Sequence, residues 1–163
     1  MKKIILILNL LLTTCILISC SSSRQANSTQ NNIDGNWQLQ TIVTESITGK
    51  FKAQLFNEAG FNCFIGSSWE FNVHNNLGTY SINKNGDECA SIKRNIRWTI
   101  YEPTTDDPKL MQFKRLDEAQ KEIAGDTDYR FTIVQLDDKS MKLRYDITVE
   151  NKPASLVYNF VRN

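Results

Sequence analysis

The 163-residue sequence predicts an all-β domain, a closed eight-stranded antiparallel up-and-down barrel with one short helix or lid segment. Three observations carry this reading. From residue 33 onward, apolar and polar residues alternate in short runs, the period of a half-buried strand. The runs are separated by Gly, Asn, Asp and Pro in connections too short for a helical crossover, so sequential strands must be antiparallel neighbours. Eight such strands in an open sheet would leave two exposed edges, and closure removes them.

The strands are expected at Gly35–Glu45, Ser68–His74, Gly78–Asn83, Ser91–Tyr101, Lys109–Leu116, Tyr129–Asp137, Ser140–Glu150 and Ser155–Arg162. The connections contain Asn75-Asn76 before Gly78, Asn85-Gly86-Asp87, Asp106-Asp107-Pro108, Asp137-Asp138-Lys139 and Asn151-Lys152-Pro153, all turn-forming chemistry. Two stretches read as helical or irregular. Lys50–Ala59 carries Phe51, Leu55 and Phe56 at helical spacing before Gly60, and Asp117–Ala124 is a charged turn of helix ended by Gly125.

One face of nearly every strand is apolar. Trp69 and Phe71 alternate on the second strand, Ile96, Trp98 and Ile100 on the fourth, and Met111 and Phe113 on the fifth. Tyr129, Phe131 and Ile133 follow on the sixth, Leu143, Tyr145 and Ile147 on the seventh, and Leu156, Tyr158 and Phe160 on the eighth. These side chains point inward, and a barrel of this size is either packed solid or holds one small ligand. If a ligand is held, Trp69, Trp98, Phe113, Phe131 and Tyr145 line its cavity. Lys93, Arg94 or Arg115 would then meet an anionic head at the mouth, with Phe51, Leu55 and Phe56 forming a lid or plug.

The N-terminus has a different logic. Lys2 and Lys3 precede an apolar stretch from Ile4 to Ile18, which ends at Leu17-Ile18-Ser19-Cys20. This is a charged n-region, an h-region and a cleavage point, and the stretch is short for a membrane span of about 20 residues. The run resembles the lipobox of bacterial lipoproteins, with Leu17, Ser19 and Cys20 in the defining places and Cys15 as a weaker alternative. That resemblance implies removal of residues 1–19, acylation of Cys20 with diacylglycerol and a fatty acid such as palmitate, and a lipid-anchored extracytoplasmic protein. Ser21, rather than Asp, after the anchor implies the outer membrane. Residues 20–32 are rich in Ser, Asn and Gln and are expected to be a flexible tether, followed by the barrel domain at 33–163.

Loss of the leader removes Lys2 and Lys3, leaving 17 of the 19 basic residues against 18 acidic ones. Near-neutrality without a basic array argues against nucleic acid as a partner. Cys63 and Cys89 remain as a pair in an exported domain, and each lies thirteen residues from Asn76. If Asn76 centres a hairpin, the two face each other, and a disulfide is expected rather than two separate buried cysteines.

No catalytic constellation is evident, and the expectation is a non-enzymatic protein without cofactor or metal. His74, the single histidine, lies beside the Asn75-Asn76 turn, and no His or Cys cluster has metal-ligand spacing.

With the strands placed, Gly35-Asn36-Trp37 resembles the Gly-x-Trp signature that opens the first strand of lipocalins, and Arg162 the basic residue of their last strand, which packs across that Trp. Ser68-Trp69-Glu70-Phe71 followed by Gly78-Thr79-Tyr80 resembles the small lipocalin-like domains of Gram-negative lipoproteins, members of the calycin-type barrels. Thr127-Asp128-Tyr129 matches a further short turn motif of the family. The resemblance implies a lipocalin-like lipoprotein that binds a small apolar or amphipathic ligand. The alternative is a structural or accessory lipoprotein with a filled barrel that binds an envelope protein partner.

Overall fold

In the computed structural model, residues 28–47, 53–86, 88–102, 104 and 107–163 are described. Residues 1–27, Cys20 among them, and Lys50 and Phe51 lie outside them. The strands are β1 (Gly35–Glu45), β2 (Gln54–Leu55), β3 (Ala59–Gly60), β4 (Ser68–Asn72), β5 (Leu77–Ile82), β6 (Ile92–Tyr101), β7 (Leu110–Leu116), β8 (Tyr129–Leu136), β9 (Ser140–Val149) and β10 (Lys152–Arg162). Eight close into an antiparallel barrel in the order β1-β10-β9-β8-β7-β6-β5-β4, while β2 and β3 pair as a separate hairpin. Each wall strand is bonded to its chain neighbour, and β1 completes the circle between β4 and β10.

Two bulges keep the apolar side chains pointing inward where strict alternation would fail. On β1 the register shifts between Leu39 and Thr41. Gln40 and Thr41 are consecutively exposed, so Trp37 and Leu39 before the bulge and Ile42 after it all face the core. A second shift on β8 falls between Ile133 and Gln135. The extra residue lets a strand bend around the barrel without turning its apolar set to solvent.

Three local expectations are corrected. The helical spacing in Lys50–Ala59 misled, because its described part from Gln54 onward is the β2–β3 hairpin. Its turn residues Phe56 and Asn57 both have φ of 53°, a conformation that reverses the chain and cannot continue a helix. A short helix follows instead at Phe61–Phe64. Asp117–Ala124 is irregular, turned by Gln120 at φ 60° and tied by a bridge between Leu116 and Glu122. The last five residues of the stretch read as tether are helical with Ile33, the first residue of the domain, and Thr29 and Ile33 are buried. Thr29 donates to Glu102 and Lys109 donates to Thr29, which seats this helix against the barrel end where β6 stops and β7 starts.

That end is closed by Trp37 and Arg162, paired across β1 and β10. The guanidinium carbon lies 4.2 Å from the indole centroid. Its nitrogens donate to the carbonyls of Asp138, at 2.7 Å, and of Asp34 and Asn32. The Trp37 indole N–H is itself satisfied by the Ile33 carbonyl at 2.7 Å. Gly35 is required here on two counts. Its φ of +109° is open to glycine alone, and a Cβ would sit 3.0 Å from the Arg162 guanidinium. Arg162→Ala removes a cation–π contact and three charge-assisted hydrogen bonds, so it is expected to lower unfolding free energy by about 2 kcal/mol in denaturant titration.

Cys63 and Cys89 form a disulfide with a Cα separation of 5.5 Å. Symmetry about Asn76 does not account for it. The β4–β5 ladder pairs Ser68 with Ser81 and Asn72 with Leu77, so the hairpin centre lies before Asn75. Neither cysteine is in that ladder. Cys63 sits in the Phe61–Phe64 helix and Cys89 in the β5–β6 loop, where it forms an isolated bridge with Gly86. The bond therefore ties the segment after the β2–β3 hairpin to the barrel rim.

Candidate functional site

The barrel lumen is lined as the alternation implies. Trp69, Phe113, Phe131, Tyr80 and Tyr158 are all buried. Trp69 stacks obliquely on Tyr80 at 4.8 Å, and Phe113 on Phe131 at 5.7 Å between centroids. Tyr145 is half-buried beside Phe131 at 5.1 Å. Trp98 is buried too and stands opposite Phe113 across the β6–β7 ladder. Its ring packs on Phe71 at 5.4 Å and its N–H donates to the Leu77 carbonyl. Ring contacts join Trp69 to Phe113, Phe113 to Phe131 and Phe131 to Tyr145, and Trp98 reaches this chain through Phe71, which stacks on Trp69.

The space among Trp69, Phe113 and Phe131 is occupied by Phe56. From the tip of the β2–β3 hairpin its ring reaches six aromatic residues, Phe64, Trp69, Tyr80, Phe113, Tyr129 and Phe131, at centroid distances of 4.8–6.3 Å. Several of these contacts are edge-to-face, the favourable arrangement of ring quadrupoles. Leu55 is buried as well.

Two residues beyond Phe56, the Glu58 side chain is also buried, at 4% exposure. It accepts from the Tyr80 hydroxyl and the Arg94 Nε, and pairs with the Arg115 guanidinium at 3.0 Å. Arg115 in turn holds Asp126 with two parallel bonds of 2.8 Å, and the Tyr129 hydroxyl donates to the same carboxylate at 2.9 Å. The mouth of the barrel is thus a network of two arginines, two carboxylates and two phenols. Lys93, by contrast, is exposed on the outer wall, since neighbouring residues of a strand face opposite sides.

The network sets the titration of its members. Burial, reinforced by the bond to Glu58, pushes the Tyr80 phenol far above its ordinary range. Tyr129 is pushed up to about 12 by burial and then by its bond to Asp126. Hydrogen bonding to Asp126 outweighs burial and raises Arg115. Burial alone would raise Asp126, but the bonds from Arg115 and Tyr129 prevail and lower it. A carboxylate depressed in the folded state contributes stability that is present above its unfolded value near ~3.9 and is lost as pH falls through the folded one. Denaturant titrations between pH 6 and 3 are therefore expected to show a steep loss below pH ~4, flatter in Asp126→Asn.

Sequence reasoning named Arg94, Arg115 and Phe56 but missed Glu58, Tyr80 and Asp126. The signal for Glu58 was an acid two residues after Phe56 and directly before Ala59, in the segment that carries the lid's apolar residues. A groove of about 420 Å³ lies on the outer wall beside Ser68, Glu70, Thr79, Ser81 and Lys93.

No family model and no curated protein matches the sequence. Among solved structures, the chain is similar to a bovine odorant-binding protein in complex with a selenium-containing odorant. Identity is 14% and the TM-score 0.43, over 82% of this chain and 72% of that chain. A likeness that distant carries no argument about ligand or mechanism. The strand order, the closure and the Trp37–Arg162 pair speak for themselves: by fold, this is a lipocalin-like eight-stranded antiparallel barrel.

Proposed function

We propose that this protein is a lipid-anchored, extracytoplasmic binding protein that takes a small apolar or amphipathic molecule into its barrel. The observation that carries the reading is the identity of what fills the lumen. Phe56 belongs to a hairpin that is not part of the wall, so its withdrawal uncovers a ready-made aromatic site without breaking a barrel ladder. A mostly apolar lumen with a few polar groups at one end has the composition of a ligand site. Native mass spectrometry of protein released gently from its own membranes tests the proposal. A discrete small molecule retained by the domain is the expected result, and uniformly empty protein that also gives no saturable response to amphiphiles opposes it.

A second reading, a filled barrel serving as an accessory subunit of an envelope complex, is favoured by how firmly the hairpin is held. The Glu58 network and the nearby disulfide both resist its release. Under this reading Phe56 is permanent core and the outer wall makes the contacts.

Anchoring rests on the Leu17-Ile18-Ser19-Cys20 run and the polar stretch after it. Two or more acyl chains, each CH₂ contributing about 0.8 kcal/mol, hold a domain at a bilayer stably where one does not. Cys20→Ala is expected to abolish fatty-acid labelling and leave unprocessed protein. Labelling that survives in that variant and disappears in Cys15→Ala would move the anchor.

A further inference from the structure

The lid presents the lumen with a ring and a carboxylate from one short turn. Phe56 places its ring among six aromatics, and Glu58, two residues on, places its carboxylate on Tyr80, Arg94 and Arg115. Formal charge explains why the two belong together. Arg94 and Arg115 are balanced by Glu58 and Asp126, with Asp126 committed to Arg115 and Tyr129. Lifting the hairpin takes away the ring and one negative charge together. The lumen would then be apolar and vacant, with one arginine charge at its mouth left without its carboxylate, a place that an incoming carboxylate can take with charge-assisted hydrogen bonds. An incoming neutral hydrocarbon would repair only half of that loss.

We propose that the lid is a built-in surrogate for the ligand. The barrel takes an alkyl or aryl carboxylate whose apolar body replaces the Phe56 ring and whose carboxylate replaces that of Glu58 on Arg94, Arg115 and Tyr80. This deepens the binding reading above and rests on it. An independent feature of the same lumen also points to an absent partner. The Tyr158 hydroxyl is buried and has no hydrogen-bond partner among the described residues, although its ring lies edge-on to Phe131 at 5.3 Å, within the cluster Phe56 enters. Buried hydroxyls are normally satisfied, and one facing the lumen is a donor for an acceptor deeper along the ligand. The ligand and the lid compete, so the apparent affinity is the intrinsic affinity reduced by the fraction of open barrels.

Titrations with dodecanoate and 1-dodecanol, read by tryptophan fluorescence and calorimetry, test this on the wild type, Glu58→Gln, Phe56→Ala and Arg94→Gln. Circular dichroism establishes that each variant is folded. Glu58→Gln and Phe56→Ala are expected to bind dodecanoate at least tenfold more tightly than the wild type, and dodecanol at least tenfold more weakly than dodecanoate. That preference is expected to shrink at least fivefold in Arg94→Gln. Equal binding of acid and alcohol by Glu58→Gln overturns the carboxylate assignment while leaving a binding barrel in place. Tighter dodecanoate binding by the wild type than by folded Glu58→Gln overturns the competition. No saturable binding of either probe by folded Glu58→Gln overturns both this inference and the binding reading, and Glu58→Gln decides the matter even if Phe56→Ala does not fold.

Discussion

Phe56→Ala is expected to lower the unfolding free energy by about 3 kcal/mol, measured by denaturant titration at neutral pH. Burial of Phe56 is nearly complete, at 4% exposure, and its ring contacts aromatic residues on β4, β5, β7 and β8 as well as Phe64. Truncating a buried Phe costs about 3–5 kcal/mol when the surroundings stay put and leave a cavity. The low end applies here because the hairpin has another option. Its two short strands bond each other rather than the wall, so it can swing away and let the mouth of the barrel hydrate. Amide exchange should therefore accelerate in residues 53–60 far more than in the barrel strands. A loss near 5 kcal/mol with uniform acceleration throughout would mark Phe56 as fixed core and favour the scaffold reading.

Replacing Cys63 and Cys89 together by Ala is expected to reduce stability by about 3.5 kcal/mol, the chain-entropy value for the 26-residue separation. The effect should be larger in the lid than the global figure implies. The bond joins the helix that follows the hairpin to the β5–β6 loop, so it shortens the chain through which the hairpin is tethered to the rim. Without it, residues 53–64 are held by Phe56, the Glu58 network and the backbone bonds of the neighbouring turn. Thermal melts of the double variant, compared with the oxidised parent, check the magnitude. A change below about 1 kcal/mol would mean that the reduced unfolded chain keeps this loop closed.

Much of the fold was legible in the residues because its causes are local. Period-two alternation gave the wall strands, all within three residues at either end, and β1 at both. Asn, Asp and Gly placed the turns, and closure followed from counting strands whose edges needed partners. Gly35, Trp37 and Arg162 were readable because each serves a constraint that acts at its own position: a positive φ, a core ring and a cation on the last strand.

The errors and omissions share a different cause. The hairpin at 54–60 looked helical because Phe51, Leu55 and Phe56 are spaced for a helix, while positive φ at Phe56 and Asn57 reverses the chain there and puts the Phe56 ring in the lumen. The disulfide was paired correctly for a faulty reason, since a ladder symmetric about Asn76 does not exist and the helix at 61–64 supplies the approach. Depth along the barrel is set by strand stagger, which periodicity does not encode: Trp98 stands opposite Phe113 and also reaches Phe71 and the Leu77 carbonyl. What the sequence by itself determined was the wall: which residues are strands, which face is apolar and that the sheet closes. What only the tertiary structure decided was the contents. Whether the lumen holds Phe56, and which carboxylate meets Arg94 and Arg115, depends on long-range packing of a segment whose local pattern suits more than one conformation.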